Sequence, residues 1–204
     1  MKKPKIRELI EAVRSLLNLP YTTKFPRSVV APPEGFRGRP RYHKDDCVGC
    51  RACAEVCPAR AIDVEDISFG GGRGLRRLTH HYDICIYCGQ CEAACITEKG
   101  IMLSLEYDLA GSDRPAMTDV CEKDLLFCEI CGSAVACVDH VKWIGKKIGL
   151  LAYANPTIYL TRHKEELKVM AEASKRDQRP SSRFDQVRIT CPSCRREILF
   201  AEQW

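Results

Sequence analysis

The sequence lacks several features that would define a membrane protein, a secreted protein or an enzyme. No apolar run approaches the ~20 residues that a membrane-spanning helix needs. The basic start is not followed by the uninterrupted apolar segment of a signal peptide, so we expect a reducing cytoplasm in which thiols stay free to bind metal. There is no Ser/His/Asp arrangement, no dinucleotide-binding fingerprint and no clear pair of carboxylates. These absences leave the sequence without recognisable substrate chemistry.

Cysteine, in contrast, is abundant, with 14 among 204 residues. Two runs share the spacing C-x-x-C-x-x-C-x-x-x-C, which is typical of cubane iron–sulfur sites. In this pattern the fourth cysteine lies too far along the chain and ligates the other cluster. We therefore expect two [4Fe–4S] clusters, the first held by Cys47, Cys50, Cys53 and Cys95 and the second by Cys85, Cys88, Cys91 and Cys57. The alternative is that these cysteines form disulfides or act as small buried apolar residues.

The formal net charge of +5 could indicate a nucleic-acid-binding protein. That charge counts every cysteine as neutral, whereas an oxidised cubane, or a zinc ion with four thiolates, carries about −2. Three such centres would lower the net charge to about −1. The excess of Lys and Arg is then counter-charge, and we expect no nucleic-acid partner.

An internal repeat organises residues 41–110, because each half reads as a strand, a cysteine run with a short helix, and a second strand. The predicted strands are 41–43, 61–64, 78–82 and 101–105. The halves meet at a hairpin turn over residues 70–74, whose glycines lack the Gly-Lys-Ser/Thr ending of a phosphate-binding loop. The predicted fold class is α+β, with a bacterial ferredoxin-like domain that carries two [4Fe–4S] clusters in a pseudo-twofold repeat.

Residues 1–40 precede this domain and are expected to dock it to a larger assembly. Apolar residues recur at helical spacing from Ile6 to Leu17, and charged residues take the other face. A helix that ends at Pro20 would be roughly 21 Å long, which suits a membrane surface or a partner's groove but cannot span a bilayer. The alternative is that the helix packs on its own domain. Residues 20–40 are predicted to form a proline-rich, extended linker.

Residues 111–204 are predicted to form a zinc-ribbon or rubredoxin-like extension. Two CxxC pairs offer the four thiolates of a tetrahedral site: Cys128, Cys131, Cys191 and Cys194. Zinc is the expected ion, a mononuclear iron is the next choice, and a third cubane is the last. Between the pairs, the sequence predicts a strand over 134–138, a helical stretch over 139–152, a charged helix over 164–173 and a polar segment over 175–183.

Several residues lie near these sites without an assigned ligand role. Cys121 and Cys137 are expected to be free thiols, although either could replace one of the CxxC cysteines. His80 and His81 precede the second run closely enough to neighbour a cluster. Tyr87 lies inside the second run and is expected to shield a cluster from water, with a role as an electron relay as the alternative.

Three segments of the sequence resemble one protein family. Residues 35–40, Gly-Phe-Arg-Gly-Arg-Pro, resemble the FRG(K/R) lead-in of the complex I subunit that carries two cubanes, and of its equivalent in group 4 membrane [NiFe] hydrogenases. Residues 103–110 and the CxxC-bearing tail resemble the iron–sulfur subunit of formate hydrogenlyase, and complex I relatives usually lack this tail. Ile96 departs from the family, which has proline after the fourth cysteine.

The resemblance implies an electron-transfer subunit with no catalytic site of its own. It would pass electrons from a donor module or a soluble ferredoxin to the [NiFe] module of a membrane complex. The implied partners are the hydrogenase small and large subunits and the membrane-arm subunits, on the cytoplasmic face and without a transmembrane span. The alternatives are a subunit of a complex I-like NADH or ferredoxin:quinone oxidoreductase and a soluble ferredoxin-like carrier.

Overall fold

The structure, a computed structural model, describes residues 5–19, 22, 24–163 and 187–200. The chain divides into two compact units, residues 1–36 and residues 37–204. Among the described residues, no helix has the length and apolar character that crossing a bilayer requires.

The first unit contains the predicted amphipathic helix, α1, which spans Ile6–Leu17. The backbone N–H of Lys5 donates to the Glu8 carboxylate at 3.1 Å and so satisfies a donor that the first helical turn leaves free. The predicted stop, Pro20, lies outside the described residues. No residue of α1 is buried, and its apolar stripe, from Ile6 to Leu17, is therefore exposed.

Two antiparallel sheets form the frame of the second unit. Strand β1 (Pro40–Tyr42) pairs with β4 (Ile101–Leu103). The larger sheet has the order β2-β3-β5-β6 and contains β2 (Ile62–Gly70), β3 (Arg73–His81), β5 (Thr118–Phe127) and β6 (Ala134–Cys137). Two one-turn helices, α2 (Ala52–Glu55) and α3 (Gln90–Ala93), lie within the cysteine runs.

Strands β2 and β3 form the predicted hairpin, and both continue further towards the turn than predicted. Residues Gly70, Gly71 and Gly72 all have positive φ, which glycine adopts readily, so the chain can reverse within two residues. The burial of β3 alternates along the strand. Arg76 and His80 consequently lie on its buried face.

Strand β5 has no counterpart among the predicted strands. It pairs with β3 over seven positions, with Leu78 opposite Cys121. One sheet therefore includes strands from both sides of residue 110, where the sequence places a domain boundary. That division of the chain stays a prediction.

The rest of the second unit is mainly helical. It comprises α4 (Val138–Ile148), a 3-10 helix (Gly149–Ala154), α5 (Pro156–His163) and α6 (Pro192–Phe200). The predicted strand over 134–138 and helical stretch over 139–152 correspond to β6, α4 and the 3-10 helix. Leu126, Val141 and Ile189 form the local core. The charged helix predicted over 164–173 and the polar segment over 175–183 lie outside the described residues.

Candidate iron–sulfur cavities and a four-thiol site

The two cysteine runs follow the same backbone path. Left-handed residues occur at three matching places: just before the second cysteine, just after it, and three residues after the fourth. These residues are Gly49 and Tyr87, then Arg51 and Gly89, and finally Arg60 and Glu98. A left-handed conformation costs a non-glycine residue roughly 1 kcal/mol or more. Its recurrence at matching positions therefore indicates that the cysteine spacing determines the turns.

A first cavity, of about 300 Å³ including the part open to solvent, is lined by cysteines from both runs. They are Cys47, Cys50, Cys53 and Cys95. Tyr42, Leu78 and Ile101 contribute to the rest of the wall. We call this space cavity one, and its thiols are those that the spacing assigns to the first cluster.

A second cavity, of about 320 Å³ by the same measure, is lined by the complementary set. Its cysteines are Cys57, Cys85, Cys88 and Cys91. His80, Ile62 and Ile86 also line it. We call this space cavity two, and here too three thiols come from one run and the fourth comes from the other.

Burial is the main influence on several lining thiols. It raises the pKa of Cys91 to about 11 and that of Cys53 to about 12, and it also raises the pKa values of Cys50 and Cys85. Burial disfavours an isolated thiolate, because the charge loses its hydration. These sulfurs are suited to a bound centre whose metal ions supply the missing positive charge.

Thr97 contacts Cys95, a lining thiol whose pKa is lowered although it is partly buried. Burial raises the pKa of Cys95, but hydrogen bonds from the Thr97 hydroxyl and from nearby backbone N–H groups outweigh it and lower the pKa. The hydroxyl lies 3.3 Å from the sulfur and accepts a hydrogen bond from the Gly100 N–H, so its own proton can point at Cys95. The segment in which Ile96 replaces the family's proline thus supplies a donor to cavity one.

Cys121 is a fully buried thiol beside cavity one. It packs against Cys47 and Leu78. The close contact of the two thiols lowers the pKa of Cys47 to about 7 and raises that of Cys121. Tyr42 makes a longer contact on the same wall, with its hydroxyl 3.9 Å from Cys53 Sγ.

A side chain cannot fit at Gly49, the residue before the second cysteine of the first run. Its φ is +69°, and a Cβ would lie 2.6 Å from Cys137 Sγ. The Gly49 carbonyl accepts hydrogen bonds from the Cys137 thiol at 3.4 Å and from the Arg76 guanidinium at 2.9 Å. Cys137 is therefore a buried free thiol that packs directly against the cysteine run.

Arg76 is a buried charge with a matching partner. Its guanidinium is bidentate to Asp66, with distances of 2.7 Å and 2.8 Å, and this contact lowers the pKa of the Asp66 carboxyl. Because the pair is neutral overall and also bonds to Gly49, it connects β2 and β3 to the first cysteine run.

The FRG lead-in contacts the second run. Arg37 donates to the carbonyl of Cys88 at 3.1 Å. Gly38 donates its N–H to the Ser104 carbonyl at 3.0 Å, and a Cβ at this position would collide with the carbonyls of Ser104 and Glu106. The Arg-Gly pair thus fastens the chain entering β1 against both the second run and the segment that follows β4.

The four thiols of the tail come together in one site. The sulfur atoms of Cys128, Cys131, Cys191 and Cys194 all lie within 4.8 Å of one another. Cys131 is exposed, and the other three are buried. The Ser133 hydroxyl, 3.0 Å from Cys131 Sγ, lowers the pKa of that thiol to about 6. Four sulfurs at this spacing are the donor set of a tetrahedral thiolate site.

A polar network fastens the Cys191 and Cys194 end of this site to α5. The Arg195 guanidinium, next to the last cysteine, donates to the side chains of Asn155, Thr157 and Thr190. Thr157 also bonds to the backbone of Thr190 through both its donor and its acceptor. Since Asn155 and Thr157 lie at the start of α5, the network joins α5 to α6.

The remaining candidates have ordinary roles or lie at the cavity walls. His81 contacts Asp63 at 3.0 Å near the surface. Tyr87 lines cavity two and donates its hydroxyl to the Tyr82 carbonyl at 3.2 Å. His80 is buried at the wall of cavity two, and its place five positions before the second run, which matches that of Tyr42 before the first, was the sequence signal that could have placed it there.

Comparison with known proteins gives a family match and a set of relatives. Residues 33–99 match the family described as 4Fe-4S dicluster domain. Formate hydrogenlyase subunit 6 of Escherichia coli is 30% identical over 177 residues, which cover 86% of this chain and 82% of that protein. NAD(P)H-quinone oxidoreductase subunit I of Gloeobacter violaceus is 32% identical over 98 residues, and the chain spans only 46% of its length.

Among solved structures, a chain from the membrane-bound sulfane sulfur reductase, an archaeal respiratory membrane complex, aligns with 57% of this chain and 61% of its own length, at 25% identity and a TM-score of 0.40. The resemblance inferred from the FRG lead-in and the tail is confirmed by the two sequence relatives. Because the similarity to the Escherichia coli protein extends over most of both sequences, this chain belongs to the formate hydrogenlyase subunit 6 family and contains a 4Fe-4S dicluster domain.

Proposed function

We propose that this chain is an electron-transfer subunit that holds two [4Fe–4S] clusters with crossed ligation. The observation that carries the proposal is that each cavity is lined by three cysteines of one run and the fourth cysteine of the other. The chain would relay electrons between a donor module, or a soluble ferredoxin, and the catalytic [NiFe] module of a membrane-bound hydrogenase or formate hydrogenlyase complex.

The residues around the cavities fit such clusters. Cubanes, when bound, accept and release single electrons without making or breaking bonds in a substrate. The chain's part is to hold them, exclude water and set the charge around them. A donor such as the Thr97 hydroxyl, which can point at the Cys95 sulfur, stabilises added negative charge and so favours the reduced state.

The matching turns of the two runs support the pseudo-twofold arrangement. The strand pairing has the same twofold relation. Tyr42, before the first run, lies opposite Ile101, after the second run. His80, before the second run, lies opposite Ile62, after the first run. We accordingly propose three parts: a docking segment over 1–40, a ferredoxin domain over 41–110 and a metal-binding extension over 111–204.

We propose zinc as the ion of the four-thiol site. The four converging sulfurs form a closed donor set, which is typical of structural zinc. A mononuclear iron would use the same four ligands, and metal analysis distinguishes the two. Either ion would hold α6 against the loop that follows β5.

Helix α1 supports attachment to a membrane complex. It exposes an apolar stripe next to charged residues, and Leu16 is 85% exposed. Burial of such a stripe against hydrogenase or membrane-arm subunits, or at the lipid surface, would remove it from water. We propose a peripheral position on the cytoplasmic face of the membrane.

The quinone oxidoreductase alternative explains less of the chain. The Gloeobacter violaceus relative covers 47% of this sequence, whereas the formate hydrogenlyase relative covers 86%, a span that must reach beyond the dicluster domain at residues 33–99. A soluble carrier would have no use for the exposed stripe of α1. Deletion of residues 1–20 tests this point: the truncated chain should lose co-purification with its membrane complex, and unchanged co-purification would favour the soluble carrier.

Anaerobic metal analysis of the full chain tests the cofactors. We expect about eight iron atoms and one zinc per chain. The double variant Cys50→Ala with Cys95→Ala should keep about four iron atoms, because crossed ligation assigns both residues to one cluster. Uncrossed ligation would remove both clusters from this variant, and colourless, redox-silent wild-type protein would contradict the proposed function altogether.

A further inference from the structure

His80 is a buried imidazole at the wall of cavity two. It is 1% exposed, and it lines the cavity together with the cysteines of the second set. Its Nδ1 is buried and has no hydrogen-bond partner among the described residues. An unpartnered buried polar atom destabilises the folded state, so a native structure normally supplies a partner for it.

The surroundings keep this ring neutral. Burial lowers the pKa of His80 to about 4, against a smaller opposing influence from Asp119. A neutral imidazole has one N–H donor and one acceptor nitrogen. In either protonation state His80 has at least one ring N–H that it can donate.

The first run has a residue at the corresponding position. Tyr42 lies five positions before Cys47, and His80 lies five positions before Cys85. Tyr42 lines cavity one with its hydroxyl 3.9 Å from Cys53 Sγ, the sulfur of the third cysteine in that run. By the same relation, His80 would face the third cysteine of the second run, Cys91, and both residues line cavity two.

We infer that the His80 ring N–H donates a hydrogen bond to a sulfur atom of the cluster in cavity two, either the Cys91 thiolate or a bridging sulfide. The inference rests on the proposed function. Reduction places one more electron on the cluster and moves no proton, so the bond strengthens as the sulfur gains charge. This hydrogen bond raises the reduction potential of the cavity-two cluster and leaves that of the cavity-one cluster unchanged.

An EPR-monitored redox titration of the full chain under anaerobic conditions tests the inference. His80→Phe keeps a ring in the wall and removes the donor. It should shift the reduction equilibrium of the cavity-two cluster about tenfold towards the oxidised form, which is about 59 mV for a one-electron couple. His80→Gln, which retains an N–H, should recover part of the shift.

Two controls separate a hydrogen bond from general disturbance. His81→Phe alters the neighbouring histidine, which is bound to Asp63, and should leave both potentials unchanged. Tyr42→Phe should act only on the cavity-one cluster. Equal potentials in His80→Phe and wild type, with both clusters intact, would overturn the inference while the proposed function stands.

A measurement on the wild-type chain covers the case in which His80 variants do not assemble. With ¹⁵N-labelled histidine, pulsed EPR of the reduced protein should detect a nitrogen weakly coupled to the cluster, and His81→Phe should retain it. Absence of that coupling would overturn the inference. Absence of any cluster signal would instead contradict the proposed function, so the two failures are distinguishable.

Discussion

In the two cavities, eight cysteines from two short runs enclose spaces of about 300 and 320 Å³. At the four-thiol site, Cys131 and Cys191 are 60 positions apart in the sequence, yet all four sulfurs lie within 4.8 Å. The cavities depend on turns within each run, and the four-thiol site depends on helices that pack from distant parts of the chain. Local spacing therefore specifies three of the four thiols of each cavity, whereas the fourth thiol, like the four-thiol site, requires long-range packing.

The largest effect that separates the two regions is expected for Cys128→Ser. Loss of one thiolate should release the zinc, whose binding free energy in structural sites is roughly 10–16 kcal/mol, while the cubane EPR signals persist. Ser193→Ala, at an exposed position between the last two cysteines, serves as the control and should retain the zinc. Loss of zinc and cubanes together would mean that the tail is not a separate site.

A smaller effect should follow from breaking the network that holds α5 and α6 together. Arg195→Leu leaves the side-chain acceptors of Asn155 and Thr157 without their donor, which should lower the free energy of unfolding of the tail by about 2–3 kcal/mol. Zinc release to a chromogenic chelator during urea unfolding measures the change. Arg196→Leu, at an exposed neighbouring position, should change the unfolding midpoint little. Equal midpoints for the two variants would show that the network does not stabilise the tail.

Next in size is the pair beside cavity one. Arg76→Met leaves the Asp66 carboxylate unpaired and should cost about 2 kcal/mol of stability, below the usual range for buried pairs because Asp66 is 34% exposed. Arg77→Met is the matched control, since its ion pair with Glu122 is exposed and is worth at most about 1 kcal/mol. Thermal unfolding of the two variants should differ clearly; coincident curves would show that Arg76 adds no more than a surface pair.

The smallest effect is expected for Thr97→Val, which removes a hydroxyl donor from the Cys95 sulfur. Other donors to Cys95 remain, so the reduction equilibrium of the cavity-one cluster should shift less than tenfold towards the oxidised form. Redox titration detects the shift, with the cavity-two cluster as an internal reference. A shift in the potential of the cavity-two cluster instead would mean that Cys95 ligates that cluster.

The cysteine spacing predicted the cavities well because cysteines three residues apart permit few backbone paths. Both runs follow the same path, with left-handed residues at matching positions such as Gly49 and Tyr87. Helix α1 and the β2–β3 hairpin were predictable for similar reasons, since helical periodicity and a glycine turn are local signals. The pairing of the tail thiols could be proposed from their number, because a tetrahedral site needs four ligands.

Other features depend on contacts that local patterns do not reveal. Strand β5 mixes charged and apolar residues, and its pairing with β3 depends on a partner some forty positions earlier. The burial of His80 was hard to predict, because a charged residue, Arg76, lies on the same face of β3. Arg76 can be buried there because it forms an ion pair. Thr97 acts through a turn that exists only when Gly100 closes it. In each case tertiary packing decides what a polar residue does.

Cys121 and Cys137 both follow residue 110 and pack against the first cysteine run, at Cys47 and Gly49. A polypeptide shortened at residue 110 would retain every predicted cubane ligand and lose this cover. If the two proposed clusters are bound, dioxygen would then reach the one in cavity one through the gap, and bleaching in air would be faster there than in cavity two. The segment after residue 110 would thus shield the proposed cavity-one cluster from oxidative damage without supplying any of its ligands.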